Sequence, residues 1–463
     1  MDATDLLEPV LTNGIRLNNF FNGRILTAED LRAEQQAVRG RDRQLAHALG
    51  EGVAHGLEVA AAGEVGGAPV LSIQPGLAFN RDGDAVALGR PVELRLVSVE
   101  EEAAAEGGVF AVCKPRRVPL ELTNVGLFVL TASPASALSE ERAPMAELGS
   151  EGIAGSCASR WALEGARFSV APLPLAPAGE EPTALALELA ALVQSVEEQV
   201  DLVRRGGASD TAAVRAALGQ GLSRLRNCAA YLCFGVERLA RQRAAPFPLA
   251  GGFRDPEYGA VDGMRARGDL ASCEIPLALF YLSKRGIEWV DAWAVRRPVV
   301  PARGAGTLPL LHGPRRHAEA VAMLLQFEQQ ATDLMAPGGS TPASAVRAGD
   351  FFRYLPPAGL LPLRARGGAA GFDRAAFFGN RTVNGPTWLE GARVEPLLDD
   401  ALRYPPIDLA RREMLWLYTI RENAPTQGAG AAAQPYLVFA NGHVPYRAFA
   451  QMDLARWDFS NYA

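Results

Sequence analysis

Few residues of this chain have the types and spacing that catalytic or metal sites require. The five histidines lie far apart, except for His312 and His317, whose five-residue spacing places them on different faces of a helix. The sequence has no His-Glu-x-x-His pattern, no Gly-x-Ser-x-Gly turn and no glycine-rich phosphate or dinucleotide motif. We therefore predict no catalytic residues, no metal and no cofactor, in a protein that is not an enzyme.

Adjacent acidic residues are the remaining candidates for chemistry. They occur as the pairs Asp399-Asp400 and Glu180-Glu181 and as the run 100–102. Two carboxylates act as general acid and base in glycosidases only when the fold holds them apart across a cleft, and neighbours in sequence are normally solvated. A hydrolase with a dispersed carboxylate site is thus the least favoured of three functional hypotheses.

The segment 80–84, Asn-Arg-Asp-Gly-Asp, resembles the start of a calcium-binding loop. It lacks the distant bidentate glutamate of such loops. An Asp-Gly pair between two short apolar segments is instead typical of a β-hairpin turn, which is our prediction here.

The five cysteines include no Cys-x-x-Cys pair, and their number is odd. This pattern predicts neither a zinc site nor a disulfide framework. Cys228 and Cys233, five residues apart on a predicted helix, are expected to be small buried residues.

Composition indicates a soluble protein of several domains. The chain has 463 residues, 48% hydrophobic and 21% charged, with no apolar run as long as a membrane span. Its first residues lack the basic and apolar regions of a secretion signal, so we expect a cytoplasmic protein or part of a particle assembled in the cytoplasm. The net charge of −6 argues against a nucleic-acid partner.

The first fifty residues predict an extended arm followed by a helix. The arm, to about residue 26, carries Phe20 and Phe21 as apolar anchors. Thr27 followed by acidic residues is typical of a helix start, and the helix should extend to about residue 48. Its thin apolar stripe, which consists of Leu31, Val38 and Leu45, is expected to pack against one sheet or one neighbouring helix.

The rest of the chain predicts β-rich regions around an inserted helical hairpin. Short apolar runs predict strands in 52–97, 109–175 and the second half, with a loop over 134–156. Two amphipathic helices are expected within 183–243, broken near Gly206-Gly207. We predict an α+β fold with antiparallel β domains, divided into 1–50 (arm and docking helix), 51–180 (β-rich), 181–250 (helical hairpin) and 251–463 (mixed, β-rich).

Two aromatic segments before diprolines, around Tyr354 and Tyr404, are predicted to be extended and could line a groove. They support a second hypothesis, a carbohydrate- or cell-surface-binding module. The last residues carry Trp457, Phe459 and Tyr462, which must be buried either in this chain or in a neighbour.

Several segments resemble a group of bacterial proteins associated with phage-tail-like contractile injection systems. The resemblance is carried by 19–31 (Asn-Phe-Phe-Asn-Gly-Arg-Ile-Leu-Thr-Ala-Glu-Asp-Leu), 56–59, 75–83, 273–279, 290–297 and 403–408. It implies a non-catalytic structural or adaptor subunit at the baseplate, tail periphery or cap, with baseplate, sheath, tube or spike proteins as partners.

The leading hypothesis is therefore an assembly subunit that docks through its N-terminal arm and helix. The sequence leaves open whether the arm and the aromatic C-terminus dock within this chain or on another one. The predicted interface residues are Phe20, Phe21, Arg24, Leu31, Arg39, Arg43, Trp457, Phe459 and Tyr462.

Overall fold

The computed structural model of the protein describes residues 15–96, 113, 125–144, 157–175, 182–236, 259–300, 314–336, 341–364, 371–379, 387–402, 404–411, 415–420 and 435–441. The chain divides into two compact units, Met1–Gln330 and Ala331–Ala463. The fold is α+β with several antiparallel sheets, as predicted. The finer division at 50, 180 and 250 stays a prediction.

Helix α1, Ala28–Leu49, begins where the sequence predicts. The Thr27 hydroxyl accepts a hydrogen bond from the Asp30 backbone N–H, and the Asp30 carboxylate accepts one from the Thr27 N–H. This reciprocal capping box satisfies donors that the first turn leaves without partners.

Six short strands follow α1 and form two three-stranded antiparallel sheets. They are β1 (Gly52–Gly56), β2 (Val59–Val65), β3 (Ala68–Ile73), β4 (Gly76–Phe79), β5 (Ala85–Leu88) and β6 (Val92–Arg95), in the orders β1-β4-β5 and β2-β3-β6. The hairpin predicted at Asp82-Gly83 is confirmed, since Phe79 pairs with Ala85 across it. Gly83 takes a positive φ of 79° in the turn.

A four-stranded antiparallel sheet forms the centre of the first unit. It has the order β10-β7-β11-β12. Its strands are β7 (Gly126–Leu138), β10 (Ala162–Pro172), β11 (Ile275–Ser283) and β12 (Gly286–Asp291), and a small separate pair is formed by β8 (Arg142–Pro144) and β9 (Cys157–Ser159).

The loop predicted over 134–156 is wrong at its start, because β7 continues through Pro134 to Leu138. Pro134 lies opposite Ala166 of β10. On its other side, β7 pairs with β11 only as far as Ala132. The missing N–H of proline is tolerated where one side of the strand has no neighbouring strand.

The two faces of this sheet pack against different layers. One face, with Phe128, Leu130 and Phe280, shares a buried apolar core with Leu71 and Ile73 of the preceding sheets. The other face lies under the predicted helical hairpin, which consists of α2 (Ala184–Arg205) and α3 (Ala212–Cys233). The threonines that precede these helices, Thr183 and Thr211, cap them.

In the described part of the first unit, α4 (Ala260–Ala266) and the larger part of α5 (Pro314–Met335) follow. Between α3, α5 and the end of β12 lies a buried ion pair, with 2.7 Å between Arg226 Nε and Asp291 Oδ2. Asp291 also accepts hydrogen bonds from the Ala294 N–H and from Gln326 Nε2. Three donors thus share one carboxylate inside the core.

Besides the end of α5, the described residues of the second unit form three short α-helices and six strands. They are α6 (Ala348–Phe351), α7 (Arg374–Phe378), α8 (Val394–Ala401), β13 (Tyr354–Leu355), β14 (Ala358–Pro362), β15 (Thr387–Leu389), β16 (Ile407–Asp408), β17 (Leu415–Ile420) and β18 (Tyr436–Asn441). The main sheet has the order β14-β18-β17-β15, and β15 is parallel to β17. The two diproline segments meet, because β13 pairs with β16.

We expect Asp291→Ala to lower the free energy of unfolding by about 3–5 kcal/mol, because it removes one partner of a fully buried ion pair. Arg160→Ala, at the exposed pair with Glu141, should change it by less than about 1 kcal/mol. Urea unfolding of both variants measures the difference. Equal effects of the two substitutions would contradict this view of the core.

Candidate docking surface

The N-terminal arm, residues 15–26, exposes most of its apolar side chains. A turn closes where the Arg24 N–H donates to the Phe21 carbonyl, and it brings the chain into α1. The exposed fractions lie between 48% and 85% for Leu17, Phe20, Phe21, Ile25 and Leu26. Large apolar side chains are normally scattered singly on a protein surface, so five within ten residues are unusual.

Helix α1 adds an exposed apolar stripe to the arm. Leu31, Val38, Leu45 and Leu49 follow one another at spacings of seven, seven and four residues, which places them on one helix face. Their exposed fractions lie between 49% and 66%. We call these four residues the outer stripe, and the stripe with the five arm residues the docking surface. The described residues of this chain leave the stripe exposed, so the prediction that it packs against a sheet or a helix stays open.

Small residues, and not the stripe, hold α1 against the domain. Ala37 and Ala46 are its buried residues. At the β4–β5 hairpin the helix comes so near that a Cβ on Gly83 would lie 2.7 Å from the carbonyl oxygen of Arg43. A side chain on residue 83 would therefore displace α1.

The three arginines predicted at the interface make contacts within the chain. Arg24 pairs with Asp30 and donates to the Asn19 carbonyl. Arg39 pairs with Glu164 of β10. The Nε of Arg43 lies 2.6 Å from Asp84 Oδ1 at the hairpin. Arg39 and Arg43 thus fix α1 on the domain and orient the outer stripe away from it, whereas Arg24 fixes the arm on α1.

A second ionic cluster lies beneath the end of α1. Glu51 Oε2 is 2.7 Å from Arg81 Nε and 2.6 Å from Arg265 Nη1, and Arg81 also pairs with Asp262. Burial alone would raise the pKa of Glu51, but Arg265 and Arg81 outweigh it and lower the pKa to about 2. The cluster ties β1 and the hairpin to α4.

Sequence reasoning missed a disulfide between Cys113 and Cys273, whose Cα atoms are 5.7 Å apart. The prediction of no disulfide is therefore wrong. The two cysteines are 160 residues apart, and no local pattern could have paired them. Cys228 and Cys233 are buried, as predicted, and burial raises the pKa of Cys233 to about 12.

The remaining candidate residues are distributed as follows. Tyr354 is buried in β13 beneath the guanidinium of Arg353, so its ring has little surface on which a sugar could stack. Tyr404 packs against the apolar cluster of the second unit. Trp457, Phe459, Tyr462 and His312 lie outside the described residues, and His317 is exposed.

The described part of the chain contains no cluster of side chains suited to hold a metal ion. Burial raises the pKa of Glu328, a carboxylate of α5. None of the helices that the structure describes is long and apolar enough to cross a bilayer.

No family model and no curated protein matches the chain. Among solved structures, it is similar to a crystal structure of TssK at 12% identity and a TM-score of 0.20, over 56% of this chain and 70% of that chain. It is also similar to a chain of the TssK-TssF-TssG baseplate subcomplex of a type VI secretion system. There the identity is 12% and the TM-score 0.19, over 55% of this chain and 99% of that chain. TM-scores this low do not establish a shared fold.

Glu51 should make the first unit sensitive to acid. Because its pKa in the fold lies below the ordinary value of 4.5, ionised Glu51 stabilises the fold above that value, and the contribution is lost as the pH falls towards 2. We expect Glu51→Gln to be less stable than the wild type at neutral pH, with the difference shrinking at about pH 3. Urea unfolding at several pH values tests this, and a difference independent of pH would contradict it.

Proposed function

We propose that this protein is a non-catalytic structural or adaptor subunit of a phage-tail-like contractile injection particle assembled in the cytoplasm. In this proposal it joins the particle by docking on another subunit. The observation that carries the proposal is the docking surface, with nine large apolar side chains exposed on one arm and one helix face. The family resemblance of the arm and helix sequence supports the kind of assembly.

The exposed apolar area is large enough to drive association. Full burial of a leucine or phenylalanine side chain contributes roughly 1.5–3 kcal/mol, so covering even half of the nine would offset much of the cost of association. Aromatic residues such as Phe20 and Phe21 are frequent anchors of protein interfaces. A partner surface with an apolar groove would suit both the arm and the stripe.

The internal pairing of the arginines favours docking on another chain. Arg39 and Arg43 hold α1 to the domain from one side, so the helix is already ordered before a partner binds. A preformed surface loses less conformational entropy on association than a disordered one. The interface would then consist of the apolar stripe and arm, with these arginines as its support.

The test is incorporation of a double variant, Val38→Glu with Leu45→Glu, into the native particle. Two carboxylates on the outer stripe should reduce co-purification with sheath, tube, spike or baseplate proteins by about tenfold or more, since buried charges without partners weaken an interface strongly. Quantitative mass spectrometry of particles from the native host measures the loss. The circular dichroism and the unfolding midpoint should stay unchanged, because both residues are exposed.

Leu187→Glu is the matched control, because Leu187 is also an exposed leucine on a helix, with 58% of its surface accessible, and lies on α2. It should leave incorporation at the wild-type level. Normal incorporation of the double variant, or an equal loss with Leu187→Glu, would contradict the proposed docking surface. If the wild type co-purifies with none of the named classes of subunit, the proposed particle is wrong.

A further inference from the structure

The disulfide is formed by a turn that contacts the β4–β5 hairpin, on which α1 packs. Cys273 belongs to the turn that precedes β11, and Cys113 lies against it in an otherwise undescribed stretch of chain. Cys273 is buried, whereas Cys113 is half-buried. One sulfur of the bond therefore belongs to a residue that solvent reaches.

The turn that carries Cys273 makes three hydrogen bonds with the β4–β5 hairpin. Asn80 Nδ2 donates to the Cys273 carbonyl at 3.4 Å, and the Arg81 N–H donates to the Ser272 carbonyl at 3.3 Å. The Ser272 hydroxyl is 2.9 Å from Asp82 Oδ2. Within the turn itself, the Ala271 N–H donates a hydrogen bond to the Glu274 carboxylate.

The hairpin also contacts α1. Its Asp84 pairs with Arg43, and its Gly83 lies against the Arg43 backbone and the His47 ring. Asn80 joins the two contacts, since its side-chain oxygen accepts a hydrogen bond from the Asp84 N–H. A continuous series of contacts therefore leads from the disulfide through the turn and the hairpin to the C-terminal half of α1.

We propose that Cys113 and Cys273 form a redox-controlled staple, a disulfide that rigidifies the contact between α1 and the β4–β5 hairpin. In its closed form the bond restrains the turn that hydrogen-bonds to the hairpin; in its reduced form the turn loses this covalent restraint and α1 opens more often. The same helix carries the docking surface, but the redox response of α1 requires no partner.

The chemistry is thiol–disulfide exchange with a small thiol of the surroundings. A thiolate attacks the Sγ of Cys113, the S–S bond breaks, and the sulfur of Cys273 leaves as a thiolate that takes up a proton. A second thiol then displaces the sulfur of Cys113, so two cysteine thiols and one small-molecule disulfide result. Oxidised glutathione reverses both steps and closes the bond.

The two redox states correspond to different surroundings. Thiol pools of a cytosol keep such bonds reduced, and oxidising surroundings close them. Cys228 and Cys233 should take no part, because both are buried and the pKa of Cys233 is raised. The staple is thus a single pair among the cysteines whose side chains the structure describes.

The first measurement is peptide mapping of the full chain after incubation with oxidised glutathione. We expect a peptide that joins residues 113 and 273, with Cys228 and Cys233 unmodified. Linkage of either Cys113 or Cys273 to Cys157, or failure of the bond to form, would overturn the proposal.

The second measurement is hydrogen exchange in the oxidised and dithiothreitol-treated protein. Reduction should raise exchange in residues 39–49 and 80–84 by about tenfold or more and leave the α2–α3 hairpin unchanged. The unfolding midpoint should fall by about 5 °C or more.

Cys113→Ser and Cys273→Ser are the matched controls, because each should remove the response to the redox conditions. Both variants should exchange like the reduced wild type under either condition. Exchange of α1 that is equal in the oxidised and reduced wild type, or a redox response that persists in both serine variants, would overturn the proposal. This outcome is distinguishable from failure of docking, because no particle is needed to observe it.

Discussion

The contact between α1 and the β4–β5 hairpin leaves no room for a side chain at position 83. This constraint determines which face of α1 is exposed. Gly83 lets the hairpin meet the helix backbone, and Arg43 pairs with Asp84 beside it. Because alanines and ion pairs hold the helix on its inner side, its large apolar residues remain on the outside. The docking surface is thus a consequence of how α1 is attached.

Ionic clusters in the first unit specify how its secondary-structure elements pack. Glu51 with its two arginines beneath α1, and Asp291 with Arg226 beneath α3, each join elements that are distant in sequence. A buried carboxylate is tolerated only when its hydrogen bonds are made, so alternative packings that break them cost several kcal/mol. The Glu51 cluster lies at the end of α1 and gives that helix a rigid base, which suits a surface that must meet a partner in one orientation.

Local features of the fold could be predicted from the sequence, and features that depend on distant residues could not. The Thr27 cap and the Asp82-Gly83 turn depend on neighbouring residues alone. Which face of α1 lies inward depends on Gly83 and Glu164, far along the chain. The seven-residue spacing of Leu31, Val38 and Leu45 predicts that they share one helix face. Periodicity cannot tell whether another element covers that face. The Cys113–Cys273 bond was missed because its ends are 160 residues apart.

The central claim is that the outer stripe meets another subunit, and photo-crosslinking in the native host tests it most directly. A photoreactive benzoylphenylalanine at position 45, in place of Leu45, would sample the centre of the stripe, and the same residue in place of Leu187 would serve as the reference. The account predicts a cross-link from position 45 to a sheath, tube, spike or baseplate protein, and none from position 187. Cross-links from position 45 only to residues of its own chain would contradict it.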